Sequence, residues 1–122
     1  MRYLLLIYVD ENPATEWTDE MRQAEGMAYG EFTKDIANQG LMQGGEALQP
    51  TTTATTVRVR NGEVLSTDGP FAETKEALGG FYLIDCKDLD EAIEVASRIP
   101  SATHGSIEVR PILELGPDMT GA

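Results

Sequence analysis

The chain changes period several times, and each change marks an element. Tyr3-Leu4-Leu5-Leu6-Ile7-Tyr8-Val9 is continuously apolar and β-prone, the pattern of a central strand covered on both faces. Asn12-Pro13 breaks it. From Trp17 the apolar positions Trp17, Met21, Ala24, Ala28, Phe32 and Ile36 recur at steps of three and four, and Asp19 and Glu20 suit a helix N-terminus. A long amphipathic helix ending at Gly40 is predicted. Leu41 to Leu48 reads as a short strand interrupted by Gly44-Gly45, and Thr51 to Thr56 begins as a loop. Thr56 to Arg60 and Glu63 to Thr67 flank Asn61-Gly62, the dipeptide best suited to a type I′ turn, so a hairpin is expected.

Leu78 to Cys86 is a further strand, in which Gly79-Gly80, like Gly44-Gly45, reads as a kink or bulge where backbones approach closely. Asp88, with Glu91 three residues on, caps a helix that turns Leu89, Ala92, Ile93, Ala96 and Ile99 inward and stops at Pro100. Ile107 to Leu115 closes the series, with Ile107, Val109, Leu113 and Leu115 on one face and Glu108, Arg110, Ile112 and Glu114 on the other. The order is that of an α+β, ferredoxin-like βαββαβ unit with an inserted β-hairpin. Two helices cover one face of such a sheet, yet the central strands are apolar on both. A second copy packed sheet to sheet, in a two-fold homodimer, is the economical cover.

Composition narrows the picture. At 122 residues and 41% hydrophobic content the chain suits one domain, expected over 1–115 with a loose tail at 116–122. Acidic side chains number 21 against 9 basic, a formal charge of −12, and the cations are scattered. Nucleic-acid and anionic-membrane partners are therefore not expected. Cys86 is the single cysteine and the apolar run at the start is too short to span a bilayer, which points to a reducing, cytoplasmic setting. With one His, one Cys and no HExxH or EF-hand spacing, no metal and no cofactor are expected.

The densest chemistry lies in Thr67-Asp-Gly-Pro-Phe-Ala-Glu-Thr-Lys-Glu76. Asp68, Gly69 and Pro70 make a constrained turn that aims Glu73, Lys75 and Glu76. Asp68 is a candidate general base, against the plainer reading of an Asx-turn residue. Lys75 with Glu73 and Glu76 is a candidate ligand-binding group, against a solvated ion-pair face. Arg110 is a candidate anion clamp, or half of a pair with Glu108. His104, the sole imidazole, is a candidate acid or base near neutral pH, against an ordinary loop histidine.

The DGPF run, with MRYLLLIY at the start and GSIEVRP near the end, resembles the DGPF branch of the YCII-related family of small bacterial proteins, in order and over nearly the whole chain. The resemblance implies a dimeric α/β barrel and brings no generally established reaction. A related branch carries a His and Asp pair, the His in the first helix and the Asp in an Asp-Pro step after the second. Tyr29 stands near the first of those places and Ile99-Pro100 at the second, so that chemistry does not transfer, although Tyr29 remains a candidate donor on a cleft wall. Two readings of activity stay open, beside a third in which the DGPF run serves mainly to close the dimer, its charges paired across the interface. One is a homodimer whose inter-sheet cleft binds a small polar organic molecule for proton transfer, elimination or isomerisation. The other is a non-catalytic module acting through a protein partner, as the family's association with alternative sigma factors implies.

Overall fold

The structure, a computed structural model, describes residues 1–12 and 17–116. Its elements are β1 (Arg2–Asp10), α1 (Asp19–Asn38), β2 (Met42–Ala47), β3 (Thr55–Arg60), β4 (Glu63–Asp68), β5 (Glu76–Asp85), α2 (Leu89–Ser97) and β6 (Ser106–Pro111). Short 3₁₀ turns occupy Thr51–Thr53 and Pro100–Thr103. The expected break at Pro13 and the tail beyond Gly116 fall outside the described residues. No helix among the described residues is long and apolar enough to cross a membrane.

Four antiparallel strands form one sheet in the order β2-β5-β1-β6, and β3-β4 form a separate ribbon. This α+β arrangement has the strand order of a ferredoxin-like fold with a hairpin inserted between its second and third sheet strands. Both expected glycine irregularities are present. Register slips in β2 between Met42 and Gly44, and in the β1–β5 pair between Ile7 and Tyr8, where Gly79 is the unpaired residue. Asn61 and Gly62 have φ of 53° and 78°, the two positive values that a type I′ turn requires.

Tyr3, Leu5 and Ile7 on β1, with Tyr82 and Ile84 on β5, face the helices and meet Phe32 and Ile36 of α1 and Ala92, Val95, Ala96 and Ile99 near α2. Leu5, Ile36, Ile84, Ile99 and Val95 are the largest fully buried side chains, each contributing about 1.5–3 kcal/mol. Arg98 ties the helices together, 2.5 Å from Asp35 of α1 and 2.9 Å from Glu94. Thr18 and Asp88 cap α1 and α2, their side chains accepting from the amides of Met21 and Glu91.

Three sequence expectations shift. The core stripe of α2 is Ala92, Val95, Ala96 and Ile99, while Leu89 and Ile93 are about half exposed, because a short helix lying flat on the sheet presents one narrow i, i+3, i+4, i+7 stripe. In α1 only Phe32 and Ile36 are buried, and Met21 is exposed, because the N-terminal half of α1 extends beyond the core. The last strand stops at Pro111. Beyond it Ile112 donates one more hydrogen bond to Arg2, and Leu113 and Leu115 face solvent.

The other face of the sheet carries Leu4, Leu6, Tyr8, Phe81 and Leu83, all half-buried, flanked by the Glu108–Arg110 pair.

Candidate functional site

A cavity of ≈ 350 Å³ lies between α1 and the helix-facing side of the sheet. Its origin is a local lack of side chains. Gly45 pairs with Tyr82, Ala47 with Gly80, and Gly80 with Ile7, so three small residues occupy neighbouring helix-facing positions where the rest of the core has large ones. The two glycines among them cannot readily be enlarged. A Cβ on Gly80 would stand 2.9 Å from the carbonyl of Glu46, and one on Gly45 would stand 2.9 Å from that of Phe81. The walls are otherwise apolar, from Ile7, Val9 and Met42, and the sole lining charge among the described residues is the rim residue Glu46.

The polar groups on these walls are hydroxyls, and they come in two pairs. Tyr29 and Thr33 sit one turn apart on α1 and so share a face. Thr33 Oγ1 lies 2.6 Å from the Tyr82 hydroxyl of β5. Tyr29 Oη donates across 2.6 Å to Ser101 Oγ, on the 3₁₀ turn after α2. Burial pushes the Tyr29 phenol above its ordinary titration range, with the Ser101 hydrogen bond opposing, so this group is a neutral hydrogen-bond donor or proton donor and not a resting phenolate.

Gly105 holds the Ser101 turn in place. A Cβ there would lie 2.3 Å from the Tyr8 carbonyl, so only glycine lets the chain pass so close to β1. The amides of His104 and Gly105 both donate to the Ser101 carbonyl. Ser101, 4% exposed, also approaches Glu25 Oε1 at 3.2 Å, and that oxygen is 2.8 Å from His104 Nε2. The Trp17 ring meets His104 edge-on at 4.9 Å.

The other candidates lie elsewhere. Glu73 and Lys75 line an open basin of ≈ 710 Å³ with Asp10, Glu11 and the 51–52 segment, where Glu11 accepts from Thr51 Oγ1 at 2.6 Å. Asp68 closes β4 opposite Thr55, exposed, and belongs to the strand end instead of the turn. Glu76 accepts from Ser106 at 2.7 Å. Arg110 is paired with Glu108 on the open face of the sheet, its hydrogen bond holding the Glu108 carboxyl below the usual range. The structure thus brings Tyr29 and His104 together through Ser101 and Glu25, and does not bring Asp68, Lys75 or Arg110 to the same cavity. Among the described residues no three His, Cys, Asp or Glu side chains converge as a metal-ligand set.

Ser101, Glu25, Thr33 and Tyr82 escaped sequence reasoning. A signal was present: Glu25, Tyr29 and Thr33 repeat at i, i+4 and i+8 on one helical stripe, and Ser101 and His104 are three apart, as eclipsed positions of a 3₁₀ turn are.

An uncharacterised protein of Rhizobium meliloti (strain 1021) is 41% identical over 114 residues, covering 92% of each chain. The model of the YCII-related domain matches residues 1–116, and the chain belongs to that family.

Proposed function

We propose that the protein is a homodimer that binds a compact, uncharged organic molecule in the cavity between α1 and the sheet and performs acid/base chemistry on it, with Tyr29 as the proton donor. The observation that carries this reading is the Tyr29 hydroxyl, set in a largely apolar wall and held at 2.6 Å by a buried serine. An apolar cavity with a few convergent polar groups is the usual form of a small-molecule site. The lining favours an apolar body with one or two hydrogen-bonding atoms, and the lack of a lining cation among the described residues disfavours a carboxylate or phosphate. This moves the site from the inter-sheet face to the helix face. The half-buried stripe of Leu4, Leu6, Tyr8, Phe81 and Leu83 supports the dimer, because it would otherwise leave central-strand leucines in water.

Native mass spectrometry of freshly purified protein tests both parts. The expected spectrum is a dimer with retained mass that disappears in Ala47→Phe, whose ring fills the cavity. With the ligand identified, Tyr29→Phe should cut turnover by roughly 10²–10⁴, the range for a lost general acid. A spectrum without retained mass, together with no chemical-shift response at Tyr29, Thr33 or Tyr82 to a set of small neutral organics, would sink the reading.

One observation favours a second reading, a module that acts through a protein partner. Val57, Val59 and Val64 share one face of the β3–β4 hairpin and are 61%, 58% and 72% exposed. Deleting the hairpin tip should then abolish partner capture and leave ligand retention intact.

A further inference from the structure

The polar atoms of the cavity wall continue past Tyr29. Tyr29 Oη, Ser101 Oγ, Glu25 Oε1 and His104 Nε2 follow one another at 2.6, 3.2 and 2.8 Å. Tyr29 lines the cavity; Glu25 and His104 line a separate open basin of ≈ 560 Å³; Ser101 lines both. The series therefore runs from a largely apolar pocket to a more polar one. A cross-link between helix and turn would need a single hydrogen bond. An unbroken series with a phenol at the apolar end and an imidazole at the polar end is what proton transfer between the two pockets requires.

We propose that Tyr29, Ser101, Glu25 and His104 form a proton relay that restores the Tyr29 hydroxyl from solvent after it has protonated the ligand. The proposal rests on the acid/base reading of the cavity. The Tyr29 O–H bond breaks and its proton joins a basic atom of the ligand. The Ser101 hydroxyl then gives its proton to the phenolate oxygen and takes one from Glu25 Oε1, which receives it from Nε2 of the His104 imidazolium. The neutral imidazole recovers a proton from water in the basin. Net, one proton moves from water to ligand, with no change of oxidation state. Ser101, Glu25 and His104 touch no ligand in this scheme and act through Tyr29. Asp10 and Glu11 at the end of β1, and Arg22 and Glu25 on α1, are the charged groups that share the basin with His104, and the Trp17 ring holds the imidazole edge-on.

The relay is testable without any ligand. In protein labelled with ¹³Cζ tyrosine, Tyr29 assigned through Tyr29→Phe, the ring-carbon signal and the His104 ring protons are followed together across pH. The expected result is a step in the Tyr29 signal at the midpoint of the His104 titration, absent in Ser101→Ala and in Glu25→Gln. A wild-type signal without that step overturns the proposal, as does a step that survives in Ser101→Ala, which would be a field effect through space. Should Ser101→Ala fail to fold, Glu25→Gln decides: loss of the step supports the relay and its survival refutes it. A ligand captured by a protein without the step leaves the cavity reading standing and removes the relay alone. The step without any retained ligand shows the proton path and removes the acid/base reading of the cavity, and with it the role assigned to the path.

Discussion

Gly105→Ala is the substitution whose cost follows most directly from geometry. The added methyl would stand 2.3 Å from the Tyr8 carbonyl and 3.2 Å from that of Ser101, where ordinary contact begins at 3.4 Å. Both obstacles are backbone, and a close-packed interior cannot yield the needed shift of about 1 Å without strain. Tyr8 is paired with Ser106 in the β1–β6 ladder, so relief must come from loosening that ladder or from moving the Ser101 turn outward. Overpacking of this kind costs about 1–3 kcal/mol. With unfolding entropy of about 2.1 cal/mol/K per residue, a chain of this size loses roughly 4 °C of Tm per kcal/mol, so Tm should fall by about 4–12 °C. Urea unfolding should show a lower midpoint at unchanged slope, which identifies a loss of stability and not a change in the unfolded state. Gly30→Ala is the internal control: nothing lies within 4 Å of its added methyl, and removing a mid-helix glycine should stabilise by about 0.5–1 kcal/mol. If Gly105→Ala unfolds at the wild-type midpoint, the close approach of the turn to β1 is wrong, and with it the positioning of Ser101.

Two further outcomes follow from charge and burial. Arg2 hydrogen-bonds Glu114 and holds its carboxyl below its ordinary value of 4.5, so the pair contributes stability above that pH and loses it as pH falls through the lower folded-state value. The melting temperatures of wild type and Glu114→Gln should therefore differ at pH 7 and converge on acidification below 4.5, whereas a constant gap would show that the pair is not what stabilises. Burial raises the Cys86 thiol and leaves it 7% exposed, so a disulfide exchange reagent should modify it only as fast as the protein opens, with rates that rise steeply in denaturant. Rapid labelling of the native protein would show that the α2 end of the core is open.

Much of the fold was legible because strong local signals coincided with the tertiary demand. The run from Tyr3 to Val9 is apolar on both faces and became a strand flanked on both sides by β5 and β6. Asn61-Gly62 produced its turn, and the glycine pairs fell where register slips. Periodicity was less reliable at the margins of helices: Leu89 and Ile93 fit the spacing as well as Val95 does, and only the angle at which α2 lies on the sheet separates them. The site was legible only in pieces. Tyr29 and His104 stand out as residue types, but they are joined by Ser101 and Glu25, separated by 76 positions in the chain, and nothing local specifies that α1 meets the turn after α2. The conspicuous charges of the DGPF run drew attention to a basin that holds Glu73 and Lys75, while the cavity owes its existence to missing side chains at Gly45 and Gly80, which composition does not advertise.

The β3–β4 hairpin pairs with itself and is moored at its base, where Gly69 donates to Ala54 at 2.7 Å and Thr56 Oγ1 donates to Gly69 at 2.8 Å. All six residues of β4 are exposed. The molecule therefore contains two cooperative units of unequal free energy, since an isolated two-stranded ribbon is marginal in water. Hairpin amides can exchange with solvent by a local opening that leaves the four-stranded sheet closed, whereas those of β1 and β5 wait for global unfolding. Extra chain spliced between Asn61 and Gly62 lengthens a loop whose closure entropy grows by only about 0.6 kcal/mol per doubling. That turn is a port through which a guest segment can be carried without entering the energetics of the core.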